Sequence, residues 1–229
     1  MQAAPGRNCE HGDVVVVAGG DQPDLTCLAQ LAAAATVIAA DSGLDHARAA
    51  GVHADILVGD LDSVTAGSLD AAEAAGTDVR RFPAAKDATD LELALDAAMS
   101  LQPRRITVVA GIGGRLDHLL SAALLLAAPR YAAVQMSARI GPATLTVIRA
   151  ADRLRGVPGE LVSLLPVHGP ASGVVTTGLR YPLNHEDLAA GSSRGISNCF
   201  AEPVAEVRLG AGVLVAVSPG VRPEKEDLL

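Results

Sequence analysis

Two aspartates one residue apart, Asp60 and Asp62, close a short apolar run in the stretch ILVGDLDSV (56–64). If the chain stays extended there, side chains two apart point to the same side. Two carboxylates aimed at one spot repel each other unless a cation or a proton lies between them. A hard divalent cation held by oxygen ligands is the chemistry this spacing favours over a solvated turn. Three further polar clusters follow strand-like runs. Asp41 lies in ADSG (40–43), Lys86, Asp87 and Asp90 in KDATD (86–90), and Gly113, Gly114, Arg115, Asp117 and His118 in GIGGRLDH (111–118). Ligands of open parallel sheets bind beyond the carboxyl ends of the strands. Four clusters at that edge therefore read as one site.

Several of these residues also have purely structural readings. Ser42 with Asp45, and Thr89 with Glu92, have capping-box spacing, and for Asp45 and Glu92 the structural reading is preferred. Asp41 fits a helix start as well as a site. Asp90 lies near a helix N-terminus, where a carboxylate is stabilised in any case, yet within reach of the same ion. Gly113 and Gly114 open a helix, permit close backbone approach, and place N–H groups where phosphate is favoured. GIGGRL is neither a phosphate-binding Walker loop nor a complete dinucleotide fingerprint. Beside an acidic cation site and Arg115, it points to a metal–polyphosphate complex, the form in which a nucleoside triphosphate is held.

The elements that must position these residues alternate over the first 140 positions. Strand-like VVVVA (14–18), TVIAA (36–40), DILVG (55–59), DVRRF (78–82) and RITVVA (105–110) are separated by helical stretches, and YAAVQMSA (131–138) reads as one more strand. Apolar runs of this length between helices predict a parallel sheet covered on both faces. From Gly141-Pro142 onward helices vanish, and ATLTVI, ELVSLLPV, SGVVTT, AEVRL and VLVAVS are separated by Gly and Pro. That pattern predicts an antiparallel sandwich or barrel. The expected architecture is an α/β parallel-sheet domain over 1–140 followed by an all-β sandwich over 141–229.

The bulk properties narrow the function classes. The chain has 229 residues, is 49% hydrophobic and carries a net charge of −8, from 26 acids against 18 bases. No basic run supplies the electrostatic footprint of a nucleic-acid binder. Cys9, Cys27 and Cys199 are widely spaced with no C-x-x-C pair, which suits a reducing compartment and argues against a zinc site. The apolar run LLSAALLLAA (119–128) is too short to span a bilayer and is read as a buried helix. The N-terminal segment lacks the apolar core of a signal peptide, so a cytoplasmic protein without membrane contact is expected.

GDLDS, KDATDLELAL, GGRLDH and the later GISN (195–198), in that order, resemble the thiamine pyrophosphokinase (thiamine diphosphokinase) family. The similarity runs from about Ala39 to Asn198 and includes the two-domain layout. It implies transfer of the β,γ-diphosphoryl group of ATP to the hydroxyethyl group of thiamine, giving thiamine diphosphate and AMP. It also implies Mg²⁺ and a homodimer whose sites lie between one subunit's α/β domain and the other's sandwich. Carried over on the matching motifs, Asp60, Asp62 and Asp90 are the metal- and phosphate-handling acids. Asp41 is a further acid near the nucleotide, and Lys86 and Asp87 begin the KDxTD element. Arg115 is a phosphate-binding arginine, Asp117 and His118 adjoin it on the substrate side, and Ser197 and Asn198 are the thiamine-contacting pair. Leu61 stands where the family usually has Phe, Ser121 and Ala122 stand where an amide is common, and the chain has no tryptophan. Tyr181 in GLRYPL then occupies the position of the aromatic beside thiamine.

Two other classes fit parts of the pattern. A haloacid-dehalogenase-like phosphatase carries a strand-end D-x-D whose first Asp is a nucleophile. It places that motif on its first core strand, whereas here it follows the third. A non-catalytic nucleotide or thiamine sensor would fit the same scaffold, although all four clusters remain.

Overall fold

The computed structural model describes residues 12–113 and 115–220. The chain forms two compact units, Met1–Gly113 and Gly114–Leu229. This boundary falls ahead of the change in sequence character at Gly141-Pro142. The strand ending at Ile140 forms an antiparallel hairpin with the strand that starts at Ala143, so it groups with the later strands.

In the first unit, β-branched runs form β1 (Asp13–Val17), β2 (Thr36–Ala40), β3 (Ile56–Gly59), β4 (Asp78–Arg81) and β5 (Arg105–Ala110). They lie parallel in the order β5-β1-β2-β3-β4. The order reverses at β1 and β5, the switch point beside which open sheets bind ligands. The connecting helices are α1 (Leu25–Ala32), α2 (Gly43–Ala49), α3 (Ala66–Ala74) and α4 (Asp90–Ser100). Alternation along the strands divides the core between two faces. Val15, Val17, Val37, Ala39 and Leu57 cluster with Leu28 of α1, Leu44 of α2 and Ala72 of α3. The opposite set, including Val16, Ile38 and Val58, is buried on the face met by α4. Asp24 caps α1 by accepting from the Thr26 and Cys27 amides, and Thr89 caps α4 by accepting from the Glu92 amide.

The second unit begins with α5 (Leu116–Leu126) and a 3-10 turn at Pro129–Tyr131. Nine strands follow: β6 (Gln135–Ile140), β7 (Ala143–Ile148), β8 (Ala151–Arg155), β9 (Leu161–Pro166), β10 (Ala171–Thr177), β11 (Glu186–Leu188), β12 (Asn198–Cys199), β13 (Val204–Arg208) and β14 (Leu214–Ser218). They run antiparallel in two layers, β12-β9-β14-β7-β6 and β11-β10-β13-β8. Ile148, Leu164 and Leu214 from the first layer share a core with Leu154, Val174 and Val207 from the second. The unit is a sandwich, the architecture expected of the Gly- and Pro-punctuated half.

Some local expectations are corrected. The strand anticipated at 131–138 begins only at Gln135, because Pro129 starts a 3-10 turn that carries the chain through Tyr131. Polar residues hide β8, β11 and β12, which have too few apolar positions to show alternation. The run 119–128 is not a buried helix. Leu116, Leu120 and Leu124, one face of α5 at four-residue spacing, are 67%, 57% and 49% exposed.

The C-terminal end of α5 is held by a cation from the sandwich. Arg149 donates from one Nη2 to the carbonyls of Ala127 and Ala128, both at 2.9 Å, where a positive charge also meets the negative end of the helix dipole. Burial pulls the Arg149 pKa down from its ordinary value. Arg149→Met keeps much of the volume and strands both carbonyls. Thermal melting should show a loss of about 2 kcal/mol, a fall in Tm of about 4–8 °C. An unchanged Tm would mean that water replaces the guanidinium at no cost.

Candidate active site

The loops at the carboxyl edge of the first unit's sheet bring three carboxylates together. Asp41 follows β2, while Asp60 and Asp62 follow β3. One oxygen from each lies within 4.8 Å of the others. The reason differs from the one the spacing suggested. The chain is not extended at Leu61, which has φ of 66°, and the Asp62 amide approaches Asp60 Oδ1 at 3.4 Å. A left-handed residue between them, with its side chain buried in the core at 7% exposure, brings both carboxylates into one group with Asp41, while Asp62 remains exposed. Asp41 is also left-handed, at φ of 48°, and its amide donates to the Val58 carbonyl at 2.8 Å. Such backbone costs on the order of 1–3 kcal/mol per residue and persists only where packing over-determines it.

Gly59 makes the convergence possible. A Cβ added there would lie 3.2 Å from Asp41 Cβ and 3.2 Å from Asp90 Oδ1, and the residue has φ of +151°. Nothing in the D-x-D pattern singled out this glycine, although its place ahead of the first aspartate was visible.

Lys86 and Asp90, from the β4–α4 connection and the start of α4, complete the cluster. Lys86 Nζ lies 3.1 Å from Asp60 Oδ2 and 2.9 Å from Asp90 Oδ1, with the ammonium side chain 13% exposed. Burial alone would lower the lysine's pKa, but hydrogen bonds to Asp90 and Asp60 outweigh it and raise it. The hydrogen bond from Lys86 holds the Asp60 carboxyl below the usual range. Asp41 goes the other way. Burial raises its pKa, and neighbouring Asp90 and Asp60 add to the rise against hydrogen bonds from the Ser42 amide and Ser63. Asp41 Oδ1 is buried with no hydrogen-bond partner among the described residues. Ser63 was not anticipated as a partner of this group.

These residues fit a divalent ion. Around an octahedral Mg²⁺ with bonds of about 2.1 Å, adjacent ligands are about 3.0 Å apart and opposite ones about 4.2 Å, so three carboxylate oxygens within 4.8 Å of one another would draw together by about 1–2 Å to share one ion. The unpartnered Asp41 oxygen is an available hard ligand. Asp90 has its Oδ1 against Lys86, which places Asp41, and not Asp90, in the tightest group with Asp60 and Asp62. Asp87 is exposed. Asp45 does not complete a capping box with Ser42, which makes no side-chain cap. It accepts instead from the amide and hydroxyl of Thr65, at 3.2 and 2.8 Å, tying α2 to the N-cap of α3.

The glycine-rich segment differs from the expectation in two respects. Helix α5 begins at Leu116 with Arg115 as N-cap, so Gly113 precedes the first turn; Gly114 lies outside the described residues. The loop after β1 presses on this segment: an added Cβ at Gly113 would displace the carboxylate tip of Asp21, and one at Gly111 would lie 2.3 Å from the Asp21 carbonyl, which is rigid backbone. In the second unit, Arg115, Asp117 and His118 are exposed. Arg115 grips Asp117 through Nε at 3.1 Å and Nη2 at 2.6 Å, a hold that lowers the Asp117 pKa to about 2. So exposed a pair adds little to stability. Asp117→Asn should leave Tm within about 2 °C while lowering turnover, read by melting and activity on one preparation. A large Tm loss would make the pair structural.

The third group lies in the sandwich. Ser197 is exposed and left-handed, φ 57°, with its amide donating to Ser163 Oγ at 3.1 Å. Asn198 is buried at 4% exposure, whereas the Tyr181 ring is 46% exposed. Both Asn198 amide atoms bond the Tyr181 backbone.

An acidic cluster with one half-buried lysine, at the strand ends of a parallel sheet and joined in one chain to a β-sandwich, suits an enzyme that handles a metal-bound phosphoryl substrate. Comparison with known proteins narrows that class. The thiamin pyrophosphokinase catalytic domain model matches residues 28–137, and the thiamin pyrophosphokinase vitamin B1 binding domain model matches 146–214. A thiamine pyrophosphokinase of Bacillus subtilis (strain 168) is 30% identical over 219 residues, covering 88% of this chain and 96% of that protein. The crystal structure of thiamine pyrophosphokinase from Bacillus subtilis superposes with a TM-score of 0.78 at 28% identity, covering 90% of this chain and 98% of that one. That of thiamin pyrophosphokinase from Geobacillus thermodenitrificans gives 0.76 at 27% identity, with 94% and 100% covered. The chain belongs to the thiamine pyrophosphokinase family. Neither the phosphatase nor the sensor alternative gains support from these matches.

Proposed function

We propose that this chain transfers the β,γ-diphosphoryl group of ATP to the hydroxyl of thiamine, giving thiamine diphosphate and AMP. The observation that carries the reading is the convergence of Asp41, Asp60 and Asp62 beside Lys86, in a chain of this family. Asp60 and Asp62, with Asp41 or Asp90, would hold Mg²⁺, which when bound supplies positive charge to the triphosphate oxygens. The chain's own residues supply the rest. Lys86 adds a fixed cation among the acids, and Arg115 offers a planar fork suited to phosphate. Asp117 holds that fork in one orientation, and by the same carboxylate orients the thiamine hydroxyl. Positioning and charge stabilisation, without a covalent intermediate, are sufficient for such a transfer.

Ser197 and Tyr181 are the thiamine-side groups of this reading and His118 a substrate-side neighbour of Arg115, while Gly113 and Gly114 are assigned to the triphosphate and Asp87 to the KDxTD element. A homodimer with sites at the subunit interface is the proposed assembly; the exposed Leu116, Leu120 and Leu124 stripe is an apolar face that a second copy would cover. No helix of the described residues is long and apolar enough to cross a membrane; the placement proposed here is cytoplasmic. The test is AMP release from ATP, thiamine and Mg²⁺. Stoichiometric AMP and thiamine diphosphate are expected; binding of both substrates without AMP would overturn the reading.

A further inference from the structure

We propose that Asn198 is a positioning residue which acts on thiamine through Tyr181, holding that ring as a platform, and is not itself a thiamine ligand. This rests on the function proposed above. Asn198 Oδ1 accepts from the Tyr181 amide at 3.0 Å and from the Cys199 amide at 2.9 Å, while Nδ2 donates to the Tyr181 carbonyl at 2.7 Å. Two N–H groups require the oxygen and one carbonyl requires the nitrogen, so the network fixes the amide's orientation. Both acceptor sites of the oxygen and one of the two amide hydrogens are thereby engaged. With the residue 4% exposed, little of it is left to meet a substrate.

The side chain does what a neighbouring strand would do for Tyr181. Arg180 and Leu183 are tied on either side, the Arg180 amide to the Cys199 carbonyl at 2.9 Å and the Leu183 amide to Thr176 Oγ1 at 2.8 Å. Between them Pro182 has no N–H to give, and among the described residues Asn198 alone satisfies both backbone groups of Tyr181. The backbone so held carries the one exposed aromatic ring of the second unit: Tyr131 and Phe200 are each 1% exposed, against 46% for Tyr181. The Arg180 guanidinium lies 5.6 Å from the ring centroid, which restricts the ring further. An aromatic presented at fixed orientation binds a flat heterocycle with little ordering cost. Both residues fall within the span matched by the vitamin B1 binding domain.

The test is a double-mutant cycle on steady-state AMP release, with wild type, Tyr181→Ala, Asn198→Ala and the double variant. Each single change should raise the KM for thiamine about tenfold and leave the KM for ATP within about twofold. The double variant should bind thiamine no worse than Tyr181→Ala alone, because Asn198 then holds the backbone of a residue that carries no ring. Multiplying effects would make Asn198 a contact in its own right and overturn the proposal. So would a Tyr181→Ala protein with unchanged KM for thiamine, an arm that does not depend on the buried variant folding. If Asn198→Ala does not fold, Asn198→Asp, which keeps the acceptor and loses the donor to the Tyr181 carbonyl, takes its place in the cycle.

A substrate-free measurement separates this inference from the proposed reaction. The chain has 2 tyrosines and no tryptophan, and Tyr131 is buried, so quenchable tyrosine emission reports Tyr181. Loss of the Asn198 side chain should lower the anisotropy of that emission; unchanged anisotropy overturns the pinning. A wild type that forms no AMP sinks the reaction, and leaves the anisotropy to judge the pinning.

Discussion

Asp60→Asn is expected to lower the rate of AMP formation by about three orders of magnitude at saturating Mg²⁺, with the protein still folded. The size follows from losing a charged group fixed in a site whose chemistry is charge stabilisation, where one preorganised group is worth about 10²–10³ in rate. Asp60 joins two parts of the cluster. One oxygen approaches the Asp62 amide and the other lies 3.1 Å from Lys86 Nζ, so the amide weakens the ion site and the lysine's position together. Folding should survive because Asn keeps the shape, Lys86 retains Asp90 at 2.9 Å, and a charge repelling its acidic neighbours is removed. Turnover within tenfold of wild type at saturating Mg²⁺ would remove Asp60 from the ion site. Lost activity with a collapsed melt would instead make its role structural.

Gly43→Ala should be the most destabilising single methyl in the first unit, by about 3 kcal/mol, or about 6–12 °C in Tm. Alanine inside a helix ordinarily stabilises relative to glycine, so the predicted sign opposes propensity. The reason is contact. A Cβ at Gly43 would lie 2.1 Å from the Val17 carbonyl oxygen and 3.1 Å from the Ala18 carbonyl carbon, rigid backbone at the end of β1. Helix α2 would have to back away from the sheet and take Asp41 with it, since the Leu44 amide donates to the Asp41 carbonyl at 3.1 Å. Mg²⁺ should therefore stabilise the variant less than it stabilises wild type. Gly67→Ala is the control: nothing lies within 4 Å of its added Cβ in α3, and a gain of about 0.5 kcal/mol is expected. Gains at both positions would discard the contact argument.

Glycine 43 shows where sequence reading stops. Its place in ADSG was plain, but a residue that packs against β1 through the lack of a side chain gives no signal in its own neighbourhood. Asp60 and Asp62 were legible as a pair because two carboxylates so close carry a chemical requirement. The geometry behind them was not, since no local rule puts a leucine in a left-handed turn; only burial of Leu61 in the core holds it there. The stretch 119–128 misled for a related reason. Apolar composition states what a helix tends to bury, whereas exposure depends on whether the rest of the chain covers it.

The strands and most helices followed from runs of β-branched residues, helical periodicity and the cap at Thr89, all interactions within a few residues. The α/β-then-sandwich order followed from where Gly and Pro begin to punctuate the chain. The partners of each side chain were decided only in three dimensions: Asp41 grouped with Asp60 and Asp62, Asp90 joined to Asp60 through Lys86, Thr65 rather than Ser42 with Asp45, Tyr181 on Asn198. Those pairings join residues distant in the chain, and their distances are set by which strands lie side by side. Residue types thus state what chemistry is possible, and long-range packing selects the atoms that meet to perform it.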